Sequence, residues 1–237
     1  MSKKLLIVST SKIHGSVYMG YLKEEVADFF GGVEELLFIP YARPGGISFD
    51  AYTELPQKAF ASLGIKVKGL HEFADPAQAL AHAQGIFTGG GNTFLLLKTL
   101  YELNLIEPLQ QTIAKGTPYM GSSAGSNITG LSIGTSNDMP IVYPPSFKAL
   151  GVVPFNINPH YLDPNPSSKH QGETRETRIN EFHVHNSQPV VGLREGSWLR
   201  LENEALELKG ELDARLFRAG HPPKELPPGD WSFLLQE

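Results

Sequence analysis

A serine set between glycines is the residue of this sequence best suited to chemistry. Ser123 lies at the centre of Gly121-Ser122-Ser123-Ala124-Gly125, which follows a short apolar run and precedes small residues able to begin a helix. Small neighbours allow the tight strand-to-helix turn that projects a nucleophilic hydroxyl out of a sheet, and the next helix adds a positive dipole. The pattern predicts that Ser123 is a nucleophile, with a tight turn carrying an incidental serine as the alternative.

A second glycine-rich segment, residues 88–92 (Thr-Gly-Gly-Gly-Asn), ends another apolar run. Glycines let backbone N–H groups approach a ligand without obstruction by side chains. We interpret the segment as half of an oxyanion hole, in which the N–H of Gly91 acts together with the N–H of Ala124. Two alternatives stay open: a phosphate loop, although the usual phosphate-binding patterns and their lysine are missing, and a turn needed only for packing.

A histidine and two acids could complete the machinery around such a serine. His160 and Glu195 each follow a predicted strand, and we expect both at the carboxyl edge of the sheet that carries Ser123, where functional groups of α/β proteins gather. The orienting acid must reach the histidine nitrogen that does not face the serine. Asp138 competes for this role from a nearly uncharged loop, where it could instead cap a turn. The sequence leaves the choice between Asp138 and Glu195 open.

Strands alternate with helices in the first half of the chain. Apolar runs and helical spacing predict strands at Lys4–Ser9, Glu35–Pro40, Ile65–Leu70, Gly85–Thr88 and Thr117–Gly121, and helices at Gly20–Phe30, Tyr52–Leu63, Pro76–Ala83, Thr93–Leu103 and Leu105–Lys115, with a kink near Pro108. This alternation predicts an α/β fold, a mostly parallel sheet with helices on both faces.

The second half is less regular. It predicts strands at Gly151–Asn158 and Pro189–Leu193, a charged helix at Glu173–Phe182, a hairpin of Trp198–Glu202 and Ala205–Leu208, loops at Asn137–Pro145 and Pro164–Gly172, and a mostly irregular tail. Neither a repeat nor a linker divides the chain. We therefore predict a single α/β domain over residues 1–237 with a β-rich C-terminal part.

Composition and charge exclude several classes of protein. The 237 residues include no cysteine, which removes disulfides, thiolate metal sites and a cysteine nucleophile. A net charge of −5 argues against a nucleic-acid partner, which needs a positive field. The run Leu5–Val8 is too short for a signal peptide, and no apolar stretch approaches a membrane span, so we expect a cytoplasmic protein without a membrane partner. His183 and His185 lack a third metal ligand at a suitable spacing, so we expect both at the surface.

Five linked motifs resemble those of the peptidase E family, the α-aspartyl dipeptidases. They are 89–94 (Gly-Gly-Gly-Asn-Thr-Phe), 121–127 (Gly-Ser-Ser-Ala-Gly-Ser-Asn), 135–142 (Thr-Ser-Asn-Asp-Met-Pro-Ile-Val), 157–161 (Ile-Asn-Pro-His-Tyr) and 172–179 (Gly-Glu-Thr-Arg-Glu-Thr-Arg-Ile). The resemblance runs in order over most of the chain. It implies a serine peptidase on a flavodoxin-like fold akin to class I glutamine amidotransferases, with Ser in place of Cys.

The resemblance also implies roles for individual residues. It implies hydrolysis of dipeptides with an N-terminal aspartate, without metal or cofactor, by Ser123 as nucleophile and His160 as base. For the acid, the family pattern offers both Asp138 and Glu195. One departure is visible at Ser122, a position that is often Trp in this family, so the pocket beside the nucleophile could have a different shape.

An aspartate side chain on the substrate calls for a cation in its pocket. Arg175, within the last motif, is the candidate, and the alternative is an exposed helical arginine paired with Glu176 or Glu181. Arg178 is the next candidate. Two other functions remain as alternatives: a cyanophycinase-like peptidase that cleaves β-aspartyl bonds, and a non-catalytic module that binds a small molecule such as a nucleotide. The expected partner is a small peptide.

Overall fold

The computed structural model describes residues 3–164, 167 and 172–236, so most of the loop predicted at Pro164–Gly172 lies outside the described residues. The strands of the described chain are β1 (Leu5–Val8), β2 (Glu35–Ile39), β3 (Lys66–Gly69), β4 (Ile86–Thr88), β5 (Tyr119–Ser122), β6 (Asn156–Pro159), β7 (Val190–Leu193), β8 (Trp198–Glu202), β9 (Ala205–Lys209), β10 (Ala214–Phe217), β11 (Lys224–Leu226) and β12 (Gly229–Asp230). Its α-helices are α1 (Lys23–Phe29), α2 (Phe49–Phe60), α3 (Pro76–Ala81), α4 (Thr93–Glu102), α5 (Ile106–Ala114), α6 (Ala124–Asn127) and α7 (Arg175–His185).

The main sheet has the strand order β12-β9-β8-β1-β5-β4-β2-β3. Strands β1 to β5 run parallel to their neighbours, and β8, β9 and β12 extend the sheet antiparallel beyond β1. β1 is wholly buried because both faces of the sheet are covered. Leu5 and Ile7 join one hydrophobic core with residues of α3, α4 and α5, and Leu6 and Val8 join another with α1 and α2. The predicted sheet with helices on both faces is confirmed.

A second sheet, of order β11-β10-β7-β6, forms the other layer of the C-terminal part. β6 and β7 are parallel, and β10 and β11 are antiparallel additions. One face joins the main core through Ile157, Val191 and Leu216, and α7 covers the other face, where Ile179 packs with Val190. The β-rich C-terminal part is thus observed, but the separation of its strands into a second sheet is not visible from local sequence patterns.

Three local predictions need correction. The predicted kink near Pro108 is instead a break at Asn104, whose φ is 54°, and Pro108 lies in the first turn of α5, where no helical partner awaits its missing N–H. Of the predicted strand Gly151–Asn158, the first residues form a buried loop whose Val152 donates to Thr129 O at 3.0 Å, and pairing begins at Asn156. The tail predicted as irregular contains β10, β11 and β12, because its proline pairs flank β11 without interrupting it.

Candidate active site

Ser123 occupies the turn between β5 and α6 in a strained conformation, with φ of 56° and ψ of −111°. The flanking glycines are required by space. A Cβ atom at Gly121 would lie 2.3 Å from Gly125 O, and one at Gly125 would lie 2.2 Å from Thr88 O. The Ser123 N–H donates to Val8 O at 3.1 Å, which anchors the turn to β1. The glycine pattern of the sequence therefore has a steric cause, and it leaves the Ser123 hydroxyl at the end of the strand.

His160 and Glu195 follow neighbouring strands of the second sheet. β6 and β7 are parallel, and Pro159 pairs with Leu193, so the residues that follow each strand emerge side by side. Both residues were expected at the edge of the sheet that carries Ser123. The structure corrects this expectation: His160 and Glu195 belong to the second sheet, whose carboxyl edge meets that of the main sheet.

A buried serine that the sequence analysis did not single out joins the two edges. Ser9, directly after β1, accepts a hydrogen bond from the His160 N–H at 2.9 Å and donates one to Leu193 O at 2.8 Å. His160 has a φ of 53°, and the Ser9 contact holds its backbone in this left-handed conformation. Ser9 has no motif of its own. The one available signal was its position at the end of the first strand, beside the nucleophile strand.

Hydrogen bonds connect Ser123, His160 and Glu195 in one chain. A bond of 2.8 Å joins Ser123 Oγ to His160 Nε2, and a bond of 2.7 Å joins His160 Nδ1 to Glu195 Oε1. The histidine and glutamate side chains are 33% and 48% exposed, so the site opens to solvent. A hydroxyl, an imidazole and a carboxylate in this order are the parts needed to activate a serine nucleophile.

Asp138 lies elsewhere in the site. Its Oδ2 accepts hydrogen bonds from the Thr93 N–H at 2.8 Å and the Thr93 hydroxyl at 2.6 Å, at the N-terminus of α4. A carboxylate is favoured there because it faces the positive end of the helix dipole. Of the two acids that the sequence left open, Glu195 is the one that contacts His160.

The glycine segment passes beside the nucleophile. A Cβ atom at Gly90 would lie 3.0 Å from Ser123 Cβ, and Gly91 has a φ of 143° with no room for a side chain beside Ala42. Within residues 3–164, 167 and 172–236, no protein atom accepts a hydrogen bond from the N–H of Gly91 or of Ala124. Two backbone donors at this turn are therefore available to a ligand.

Arg175 begins α7 and is half-buried. Burial lowers the pKa of its guanidinium, Arg178 lowers it further, and the negative charge of Asp138 acts in the opposite direction. The pairing with Glu176 or Glu181 that would make Arg175 a surface residue does not form: Glu176 binds Arg215 at 2.7 Å, and Arg178 lies 3.6 Å from Glu173. Among the described side chains, none forms an ion pair with Arg175.

An ion-pair network joins the loops that carry the histidine and the glutamate, and the sequence analysis missed it. Arg194 binds Asp163 through two bonds of 2.9 and 2.7 Å, and Glu225 at 2.9 Å. These hydrogen bonds from Arg194 are the main reason that the pKa values of both carboxyls lie below their usual range. Asp163 stands three residues after His160 and Arg194 directly precedes Glu195, so the network ties their loops together.

The structure also locates Ser122 and the two histidines that the sequence analysis considered. Ser122, at the position that departs from the family pattern, is fully buried opposite Val8, so its side chain belongs to the core beneath the turn. The expectation that His183 and His185 both lie at the surface holds for His185, which is exposed in the last turn of α7. His183 is half-buried instead, and its Nε2 is 3.1 Å from Gln188 O. In the described part of the chain, no group of three or more metal-ligating side chains is placed to hold an ion, and no helix is long and apolar enough to cross a membrane.

Comparison with known proteins adds independent findings. Residues 5–209 match the model of peptidase family S51. The chain is 47% identical to a probable alpha-aspartyl dipeptidase of Drosophila melanogaster, over 100% of this chain and 99% of the relative. It is 51% identical to peptidase E of Streptomyces coelicolor, over 98% of this chain and 94% of the relative.

Solved structures agree at the level of fold. A putative peptidase E from Listeria monocytogenes has a TM-score of 0.67 at 23% identity, covering 89% of this chain and 99% of its own. A peptidase from an acI-B1 Actinobacterium has a TM-score of 0.72 at 18% identity, covering 97% and 96%. They confirm the predicted α/β fold. Since the family model spans most of the chain and these close relatives span nearly all of it, the chain belongs to peptidase family S51.

Proposed function

We propose that this protein is a serine dipeptidase that hydrolyses dipeptides with an N-terminal aspartate. The observation that carries the proposal is the hydrogen-bonded chain of Ser123, His160 and Glu195 in a member of peptidase family S51. The names of the relatives, alpha-aspartyl dipeptidase and peptidase E, support the same reaction and substrate class.

The reaction begins with attack of Ser123 Oγ on the carbonyl carbon of the aspartyl residue. His160 Nε2, 2.8 Å from the hydroxyl, takes its proton, and Glu195 stabilises the imidazolium from Nδ1. His160 then returns the proton to the leaving amine, and the C–N bond breaks. Water, deprotonated by the same histidine, releases aspartate from the acyl-enzyme.

The negative oxygen of the tetrahedral intermediate needs donors that are already in place. The N–H groups of Gly91 and Ala124 fit this role: Ala124 directly follows Ser123, Gly91 directly follows the glycine that packs on Ser123, and neither N–H has a protein acceptor in the described chain. Such donors favour the transition state over the substrate, since the charge that they meet develops only there.

Recognition of the aspartyl residue is assigned to two opposite charges. Arg175 receives the side-chain carboxylate. Its guanidinium is half-buried and has no ion-pair partner among the described residues, so its N–H donors are available to bind both oxygens of a carboxylate. Asp138 receives the substrate's α-ammonium group: Thr93 holds one carboxylate oxygen, and the other accepts no hydrogen bond within the described chain. Arg175 then distinguishes Asp-Xaa from peptides with a neutral first residue, and Asp138 favours peptides with a free N-terminus.

A dipeptide panel tests this proposal. Asp-Leu should be hydrolysed much faster than Asn-Leu, which is isosteric but uncharged, and faster than β-Asp-Leu, the linkage that a cyanophycinase-like peptidase would prefer. A fluorophosphonate should label Ser123. Absence of labelling, together with tight binding of a nucleotide, would favour the small-molecule-binding module instead.

Arg175→Ala should weaken Asp-Leu hydrolysis by about 2–5 kcal/mol in kcat/KM and narrow the preference for Asp-Leu over Asn-Leu, because the substrate carboxylate loses its partner. Arg178→Ala, one turn further along α7, is the matched control and should leave that preference unchanged, since an exposed ion pair contributes about 0–1 kcal/mol. An unchanged preference in Arg175→Ala together with a narrowed preference in Arg178→Ala would move the anion site to Arg178, and an unchanged preference in both would move it away from α7; either result leaves the serine mechanism standing.

A further inference from the structure

A tyrosine ring lies fixed directly beneath the glycine segment. Tyr52, on α2, is 1% exposed. Its ring makes an edge contact with Phe38, with centroids 5.0 Å apart at 78°, and the Arg43 guanidinium lies 4.4 Å from its centre. These contacts hold the buried ring in place and so fix the position of its hydroxyl.

That hydroxyl donates a hydrogen bond of 2.8 Å to Gly90 O. The carbonyl of Gly90 and the N–H of Gly91 belong to the same peptide group. In a trans peptide the C=O and N–H bonds point in opposite directions and are rigidly coupled, and the described chain contains no cis bond. Holding the carbonyl towards Tyr52 therefore holds the Gly91 N–H in the opposite direction.

The glycine segment needs such an external contact. Glycine populates both signs of φ readily, so a peptide between two glycines can rotate at low cost. A larger residue is excluded at Gly91, where a Cβ atom would lie 2.2 Å from Ala42 O, and is crowded at Gly90, where a Cβ atom would lie 3.0 Å from Ser123 Cβ. A rotated peptide would present the Gly90 carbonyl oxygen where an N–H is required, and this oxygen would repel a developing oxyanion.

We propose that Tyr52 is a positioning residue that selects the peptide orientation in which the Gly91 N–H can stabilise the oxyanion. Since burial raises the pKa of Tyr52 above its ordinary value, the hydroxyl remains a donor throughout the working pH range. The inference rests on the proposed acyl transfer at Ser123.

Tyr52→Phe tests the inference because it removes one buried oxygen and keeps the ring contacts. The expected result is a fall in kcat for Asp-Leu of about 10- to 100-fold, less than the loss of an oxyanion donor itself, with KM unchanged. The matched control is Tyr119→Phe. Tyr119 is also fully buried and donates to a glycine carbonyl, Gly125 O at 2.9 Å, but that carbonyl belongs to a peptide whose N–H bonds Ser123 O. Tyr119→Phe should therefore lose about as much thermal stability as Tyr52→Phe, and its kcat should stay within about threefold of the wild-type value.

A transition-state analogue gives a second readout. The aldehyde of aspartate forms a tetrahedral adduct with a serine, and its inhibition constant should rise in Tyr52→Phe in parallel with the loss of kcat. Inhibition by free aspartate, which forms no oxyanion, should not change. In wild-type crystals soaked with the aldehyde, the adduct oxygen should lie within about 3.1 Å of Gly91 N.

Three results would overturn the role of Tyr52: wild-type kcat in Tyr52→Phe, an equal loss in Tyr119→Phe, or an adduct oxygen directed away from Gly91 N. Failure of the proposed function is distinguishable from these, since it would appear as no hydrolysis of Asp-Leu by the wild type or as full activity in Ser123→Ala. If Ser123→Ala is inactive and Tyr52→Phe is fully active, the positioning role of Tyr52 is contradicted and the proposed function stands.

Discussion

The turn that carries Ser123 and the edge that carries His160 and Glu195 are held in place by different forces. Around Ser123, glycines allow backbone to approach backbone so closely that a single methyl group would collide with Thr88 O. Around His160 and Glu195 the side chains are partly exposed, and ion pairs of Arg194 hold the loops. Packing fixes the nucleophile, whereas polar contacts fix the base and acid, so the two regions should respond differently to substitution.

The largest effect should come from the nucleophile. Ser123→Ala should lower kcat by about 10⁴- to 10⁶-fold, because the members of such a chain act as a unit. The fold should persist, since the hydroxyl contributes little to packing. Ser122→Ala is the control: its hydroxyl is buried beneath the turn without a hydrogen-bond partner in the described chain, so the change should be mild. Wild-type turnover in Ser123→Ala would exclude the serine mechanism.

The next largest effect should separate the two acids. Glu195→Gln should cost roughly 10⁴-fold in kcat, because a neutral amide cannot stabilise the imidazolium of His160. Asp138→Asn should act mainly on KM, since its carboxylate faces Thr93 and the proposed ammonium site. Steady-state kinetics of both variants with Asp-Leu check this. A loss of kcat in Asp138→Asn as large as in Glu195→Gln would contradict the separation of roles.

A smaller effect should follow from loosening the polar region at a distance. Arg194→Met should lower kcat by about 10- to 100-fold through misplacement of His160 and Glu195. Arg194→Lys should recover a part of the loss, because a lysine keeps the charge but cannot bind Asp163 through two parallel bonds. An equal loss of kcat in both variants would show that the bidentate geometry is essential. Wild-type kcat in both variants would show that the two loops keep their positions without Arg194.

The smallest effect concerns acid stability. Arg194 holds the pKa values of Asp163 and Glu225 below their usual range, so the folded state binds fewer protons than the unfolded state at acid pH. The contribution of these pairs to the free energy of unfolding is complete above about pH 4, the ordinary range of the carboxyls, and is lost as the pH falls further.

Denaturant unfolding of wild type and Arg194→Met across pH measures this contribution. The difference in free energy between the two proteins should be largest near neutral pH and shrink below about pH 4. Arg178→Met, which removes an exposed pair, should show little difference at any pH. If the difference in free energy of unfolding between wild type and Arg194→Met increased at acid pH, the stabilising role of the Arg194 ion pairs would be contradicted.

The same contrast explains what the sequence could predict. Close backbone packing leaves a visible trace, because only glycine fits at Gly121 and Gly125, and the resulting pattern identified the turn and its serine. The alternation of strands and helices likewise predicted the main sheet. The network of Arg194, Asp163 and Glu225 leaves no such trace, since its members are common charged residues that lie far apart along the chain.

Long-range pairing also limited the choice of acid and the prediction of the second sheet. Glu195 and Asp138 both stand in plausible loops, and only the pairing of β6 with β7 brings the first to His160. That pairing joins strands separated by α7, and no local pattern records it. Ser9 was invisible for the same reason, because its partners are His160 and Leu193.

The contacts of Ser9 have a consequence for the newly synthesised chain. The first strand and the serine turn leave the ribosome long before the strand that carries Glu195, about 70 residues later. At typical rates of roughly 5–20 residues per second, a nascent chain spends about 4–14 s with its nucleophile made and its orienting acid not yet synthesised. The Ser9 hydroxyl can bind the His160 N–H and Leu193 O only after β6 and β7 have packed against β1. The complete catalytic site therefore forms late in synthesis, when these two strands dock.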